Sequence, residues 1–185
     1  MVAMTAPTAV PWGKDLTAYD VAELWDESQR LELIDGVLIV MESPAPEHQV
    51  VQAGLLQLLF PACPPDLRVL AAPFDILDAR TAVQPDILVT ERQLRSRSKW
   101  LETIPHLAVE ILSPSTRLRD LNTKFKRYER AGISSYWVID PADLHLRVWD
   151  LRDGEYAETA DVAPEQTWTA TQPFEVTITP GRLLD

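Results

Sequence analysis

Leu107-Ala108-Val109-Glu110-Ile111-Leu112-Ser113-Pro114-Ser115-Thr116 is the stretch whose reading decides the architecture of this chain. Apolar residues fall on both parities of the first six positions, which marks a strand covered on both faces at the centre of a sheet. The Ser-Pro-Ser-Thr run that follows breaks the strand and offers an N-cap for a helix. Glu110 stands out in this setting. A carboxylate among Val, Ile and Leu is costly to bury unless a cation or hydrogen-bond donors meet it. Gln84-Pro85-Asp86-Ile87-Leu88-Val89 repeats the pattern 24 positions earlier, with Asp86 opening the apolar run. Two such acids on neighbouring strands point to a shared metal ion.

Working outward, Thr17 and Asp20 form a capping box for a helix over 17–29, with Val21, Leu24 and Trp25 at helical spacing. Asp35-Gly36 separates two apolar runs and predicts a hairpin of 31–34 with 37–41. The spacing of Val50, Val51, Leu55, Leu58 and Leu59 predicts a second helix over 46–60, stopped by the prolines at 61–65. Strands are expected at 68–77 and 86–90, a loop over 91–102, and the central strand at 106–112. A third helix is expected over 117–131, with Leu118, Leu121, Phe125 and Tyr128 as its buried stripe and Gly132 as its stop. Strands at 135–139, 144–149 and 174–178, and a hairpin turn at Asp153-Gly154, complete the pass. The fold class is α/β or α+β: a mixed β-sheet core flanked by helices. Residues 1–14 read as a flexible N-terminal tail and 15–185 as a single domain.

Composition narrows the function classes. With 46% hydrophobic and 24% charged residues over 185 positions, the chain is that of an ordinary globular protein. No apolar run is long enough to span a bilayer, and the N-terminus lacks the basic region of a signal peptide. A cytoplasmic location is expected. The single cysteine, Cys63, excludes a disulfide framework and a cysteine-based zinc site. The net charge of −11 argues against polyanion binding over the whole surface. Its distribution is uneven, however. Residues 92–130 hold ten of the 17 basic residues and four acids, leaving +6 there and −17 elsewhere. Arg95, Arg97, Lys99, Arg117 and Arg119 are the nucleic-acid contacts this window offers, although charge alone favours a solvated face.

The order and spacing of several strings resemble a known family. These are Leu31 to Gly36, Pro85-Asp86, Val109 to Thr116, then Asp120, Lys124 and Tyr128, and Gly132 through Tyr136-Trp137-Val138-Ile139-Asp140-Pro141. Over residues 17–160 they resemble the Uma-type family of putative restriction endonucleases, within the PD-(D/E)XK nuclease superfamily. The resemblance implies a restriction-endonuclease-like core and Mg2+-dependent hydrolysis of DNA phosphodiester bonds, with Mn2+ as a substitute. It makes Asp86 and Glu110 the metal ligands. Leu112 stands where the superfamily pattern has lysine; Lys124, on the following helix, matches the family's lysine and is the third catalytic residue. Asp120 and Lys124 at i,i+4 equally form a plain helical ion pair. Glu32, alternating with Leu31 and Leu33, is an accessory acid or a solvent-facing residue. His48 matches a family histidine and is a second accessory residue, as a phosphate contact or a partner of Glu32.

Two function classes therefore stand side by side. One is a metal-dependent endonuclease acting on DNA. The other is a catalytically inactive nuclease-like module that binds nucleic acid or a protein partner, motivated by Leu112 and the acidic total charge. A homodimer is expected in either case, because a small mixed sheet leaves edges to pair.

Overall fold

The computed structural model describes residues 15–24, 30–93 and 100–184. The tail at 1–14 and the contacts expected at Arg95, Arg97 and Lys99 lie outside them. Helix α1 (Ala18–Leu24) opens on the capping box: the Thr17 amide donates to Asp20 Oδ2 at 2.9 Å and the Asp20 amide to Thr17 Oγ1 at 3.2 Å. The hairpin β1 (Arg30–Ile34) and β2 (Val37–Met41) turns on Asp35 and Gly36, with φ of 55° and 79°. Two positive φ values are what a two-residue hairpin turn needs, and an Asp-Gly pair accepts them at least cost. Helix α2 (Pro46–Ala62) follows, with Pro at its first position, where a missing N–H costs nothing.

Strands β3 (Leu67–Ala71), β4 (Asp75–Asp78), β5 (Thr81–Val83) and β6 (Ile87–Glu91) replace the two strands expected over 68–90. The chain breaks at Ala72, whose φ is 45°, and at Pro73, which has no N–H for a ladder. That break sends β3 and β4 into different sheets. Strand β7 (Leu107–Ile111) carries Glu110 and is buried at all five positions, as its two-sided apolar pattern predicts. After it come a wide π-helical turn (Arg119–Lys124), helix α3 (Phe125–Ala131), β8 (Ser135–Ile139), the hairpin β9 (Leu146–Arg152) and β10 (Glu155–Val162), and the short pair β11 (Trp168–Ala170) and β12 (Val176–Ile178).

A six-stranded sheet ordered β10-β9-β8-β7-β6-β3 forms the body, with β7 and β8 parallel and the other neighbours antiparallel. One face packs on α2 through Val51, Leu55 and Leu59, with Trp137 at the contact. The opposite face receives α3 through Tyr128, beside Tyr136 and Val138. A four-stranded sheet ordered β2-β1-β5-β4 packs with α1 around Leu31, Leu33 and Phe74. The expected mixed sheet flanked by helices is thus present, with a second sheet the periodicity did not separate.

Three local readings need correction. Val50 is exposed, because the buried side of α2 runs through His48, Val51, Leu55 and Leu59. Leu118 lies in the helical turn that opens at 117, as expected, but is 79% exposed and does not join the buried stripe. The π turn shifts the angular position of every residue before Phe125, so a stripe drawn at α-helical spacing fails there. Strand β11 was not anticipated; at three residues it carries too little alternation to read.

Candidate active site

Gln84-Pro85-Asp86 is the link between β5 of the smaller sheet and β6 of the larger one. The β6–β7 ladder pairs Ile87 with Val109, so one further step of that antiparallel register sets Asp86 opposite Glu110. Directly opposed residues present side chains on one face. Both acids line a cavity of about 240 Å3, together with Arg30, His48, Asp120 and Lys124.

Asp86 is held on both oxygens. Arg30 Nη2 lies 3.1 Å from Oδ1 and also donates to the Gln84 carbonyl at 3.3 Å. The Ile111 amide donates to Oδ2 at 2.8 Å, and His48 Nε2 lies 3.1 Å from the same oxygen. An ionised carboxylate only accepts, so His48 donates from Nε2. The expected bond from His48 to Glu32 is replaced by this one, because α2 crosses the larger sheet beside β6. Gln52, one turn further along α2, donates to the Asp86 carbonyl at 2.6 Å. Burial pushes the Asp86 carboxyl up; the hydrogen bond and charge of His48, then Arg30 and the Ile111 amide, outweigh it and hold the group below the usual carboxylate range.

Glu110 belongs to a buried network around Lys124. The Lys124 Nζ donates to Glu110 Oε1 at 2.9 Å and lies 2.8 Å from Glu32 Oε1 and 3.5 Å from Asp120 Oδ1. Tyr128, one turn later on the same helix, donates its hydroxyl to Glu110 Oε1 at 2.6 Å. Glu32 Oε1 also accepts the Gln84 amide at 2.9 Å. Glu32 Oε2 is buried with no hydrogen-bond partner, and Asp120 Oδ1 has only the long contact to Lys124. Lys124 is fully buried. Burial by itself would lower its pKa, but Glu110, Glu32 and Asp120 raise it above the usual lysine value. Glu110 moves the opposite way to Asp86. Burial, which Lys124 only partly offsets, and the charges of Asp120, Asp86 and Glu32 push it well above the ordinary glutamate range.

Charge accounting explains this pattern. Asp86, Glu110, Glu32 and Asp120 are four acids against two permanent cations, Arg30 and Lys124, so the ionised acids outnumber the fixed cations by two. A single divalent cation would cover that deficit. Mg2+ binds oxygen, often through one or two carboxylates with waters and substrate oxygens completing its shell. Asp86 and Glu110 fit that donor set. Among the described residues, no three His, Cys, Asp or Glu side chains converge as a ready-made cage, so most of the shell would have to come from water and substrate.

The structure therefore brings together all five expected residues, Asp86, Glu110, Lys124, Glu32 and His48. It does not add Arg117 or Arg119: Arg117 pairs with Asp140, and Arg119 Nη1 lies 3.6 Å from Met41 Sδ. Arg30, Gln52 and the Tyr128 hydroxyl were missed. Arg30 had a signal, since it precedes Glu32 by two on one strand and so shares its face. Tyr128 sits four after Lys124, the spacing at which helical neighbours meet, but its ring was read as core alone.

Comparison with known proteins gives the following. The sequence profile of the Uma2 family, described as "Putative restriction endonuclease", matches residues 18–181. An uncharacterized protein of Synechocystis sp. (strain ATCC 27184 / PCC 6803 / Kazusa) is 26% identical over 140 residues, covering 70% of this chain and 71% of its own length. A crystal structure from Anabaena variabilis, described as a putative nuclease belonging to DUF820, superposes with a TM-score of 0.75 at 18% identity, covering 91% of this chain and 97% of that one. That likeness establishes the shared fold. Among the described residues no helix is long and apolar enough to cross a membrane.

Proposed function

Because the chain belongs to the Uma2 family of restriction-endonuclease-like proteins, we propose that it is a Mg2+-dependent endonuclease that hydrolyses DNA phosphodiester bonds. The observation that carries this reading is the opposition of Asp86 and Glu110 across β6 and β7, at a shared cavity whose acids outnumber its fixed cations by two. Asp86 and Glu110 would hold the ion. Bound there, it would lower the pKa of a water for attack and offset charge on the phosphoryl group.

The chain's own residues do the rest. Lys124 holds Glu110 through Oε1 and remains protonated, so it supplies a fixed positive charge beside the developing phosphorane. Tyr128 fixes the same oxygen from the adjacent turn. Glu32, on the smaller sheet, pairs with Lys124 at 2.8 Å. His48 and the Ile111 amide hold Asp86 Oδ2, which keeps the carboxylate turned toward the cavity. Arg119 Nη1 lies 3.6 Å from Met41, which lines the cavity, and would supply a contact to the phosphate backbone.

The test is cleavage of plasmid or oligonucleotide DNA in Mg2+ or Mn2+. Asp86→Asn and Glu110→Gln are each expected to lower the rate at least about a hundredfold while leaving the folded circular dichroism spectrum in place. Undiminished cutting by both variants would rule out the proposal. A second reading, a non-cutting module that binds nucleic acid, has one observation in its favour: both Asp86 oxygens are already partnered. It expects no heat of Mn2+ binding by calorimetry, beside DNA binding that weakens with salt.

A further inference from the structure

Asp86 uses its two oxygens in different ways, and the difference identifies a role for Arg30. Oδ2 is built in: it accepts from the Ile111 main chain at 2.8 Å and from His48 at 3.1 Å, and both donors are fixed by packed elements. Oδ1 meets Arg30 Nη2 at 3.1 Å, from a side chain 20% exposed at the edge of the cavity. The guanidinium is incompletely used. Its Nη2 is shared with the Gln84 carbonyl at 3.3 Å, and its Nε is buried without a hydrogen-bond partner. A guanidinium with unspent donors and a partly open path is a replaceable counter-ion.

We propose that Arg30 stands in for the divalent cation on Asp86, and that the ion binds by displacing the guanidinium from Oδ1. This inference rests on the metal-dependent reading above and adds to it the residue that sets how tightly the ion is held. The physical reason is like-charge exclusion. A guanidinium and a divalent ion on one carboxylate oxygen repel strongly where that carboxylate is buried. Exchange lets the ion fill a site whose acids outnumber its fixed cations while Arg30 retains its longer tie to the Gln84 carbonyl, at 3.3 Å, or turns to the cavity. A released guanidinium presents a planar set of N–H donors at the place where a phosphate oxygen would arrive. Binding of the ion and of the anionic substrate would then be favoured together, because the ion frees the donors that the substrate uses.

The experiment is calorimetric titration of Mn2+ into the full chain, comparing wild type, Arg30→Met and Arg30→Lys, with melting temperatures in EDTA and in Mn2+. Arg30→Met is expected to bind Mn2+ roughly tenfold more tightly than wild type, since one charged hydrogen bond no longer has to be broken. It should also melt lower in EDTA and gain more on adding Mn2+ than wild type does. Arg30→Lys keeps a displaceable charge and should stay within about twofold of the wild-type affinity. Arg30→Gln serves the same purpose if the Met variant does not fold. Equal or weaker Mn2+ binding by the neutral variants overturns the Arg30 inference and leaves the metal site standing. No Mn2+ binding by any of the proteins, wild type included, overturns the metal reading and this inference with it.

Discussion

Asp75, at the start of β4, isolates the cost of a buried charge away from the candidate site. It is fully buried, and neither carboxylate oxygen meets a well-formed hydrogen bond. Burial pushes its carboxyl up to about 7, against weak pulls from the Thr103 and Ile76 amides. An unfolded aspartate loses its proton near pH 3.9. Between that value and about 7 the folded chain binds more protons than the unfolded one, so stability falls as pH rises through the window and levels off above it. Asp75→Asn is expected to match wild type near pH 4 and to exceed it at pH 8 by on the order of 2 kcal/mol, read from urea melts at the two pH values. An unchanged pH slope would show that Asp75 is not the group responsible. Asp86 acts with the opposite sign. Its lowered pKa makes its contribution complete above about pH 4 and lost as pH falls through the folded value.

At the scale of elements, the site depends on one irregular helix. The π turn over Arg119–Lys124 leaves Asp120 and Lys124 both buried, while Tyr128 follows on regular α3. The Asn122 side chain donates to the Leu118 carbonyl at 2.8 Å on the exposed side of that turn. Deleting Asn122 should let the segment close into an α-helix and turn Asp120 by about 100° relative to Lys124 and Tyr128. The expected result is loss of DNA cleavage, and a destabilisation of about 3–5 kcal/mol from a buried Asp120 that loses its cation. Denaturant melts and a cleavage assay on the deletion variant check both. Survival of activity would mean that Lys124 does not need this turn. The hairpin β1–β2 plays the same supporting role, since Arg30 and Glu32 project from it. Gly36 has φ 79°, and a Cβ there would lie 2.2 Å from Arg80 Nη2. Gly36→Ala is expected to cost about 1–2 kcal/mol, measured by chemical denaturation.

At the scale of the whole molecule, the cavity sits where two sheets and two helices meet. Arg30 and Glu32 come from the smaller sheet, Asp86 and Glu110 from the larger one, His48 from α2 and Lys124 from the π turn. The body is acidic, at −11 overall, so any hold on DNA must come from local basic residues. DNA affinity should therefore fall steeply with salt, and Arg119→Ala should reduce the slope of log K against log salt by about 1. A filter-binding series across salt concentrations checks the slope; an unaltered slope would remove Arg119 from the interface.

The sequence by itself determined the strands that carry the two acids, the Asp-Gly hairpin, the α2 and α3 helices and the family. Each of these is written in local patterning: alternation, helical spacing, turn residues and motif order. Glu110 was legible because a charge inside an apolar strand conflicts with its neighbours, and Asp86 because it opens a second such strand. Tertiary structure alone decided which partner each charge takes. Arg30 reaches Asp86 across 56 residues and Lys124, on the π turn, reaches Glu32 in the smaller sheet. Those pairings follow from strand order, from register and from a π turn that breaks α-helical spacing. None of the three is a property of a local window, because sheet neighbours are chosen by burying whole faces together rather than by adjacent residues.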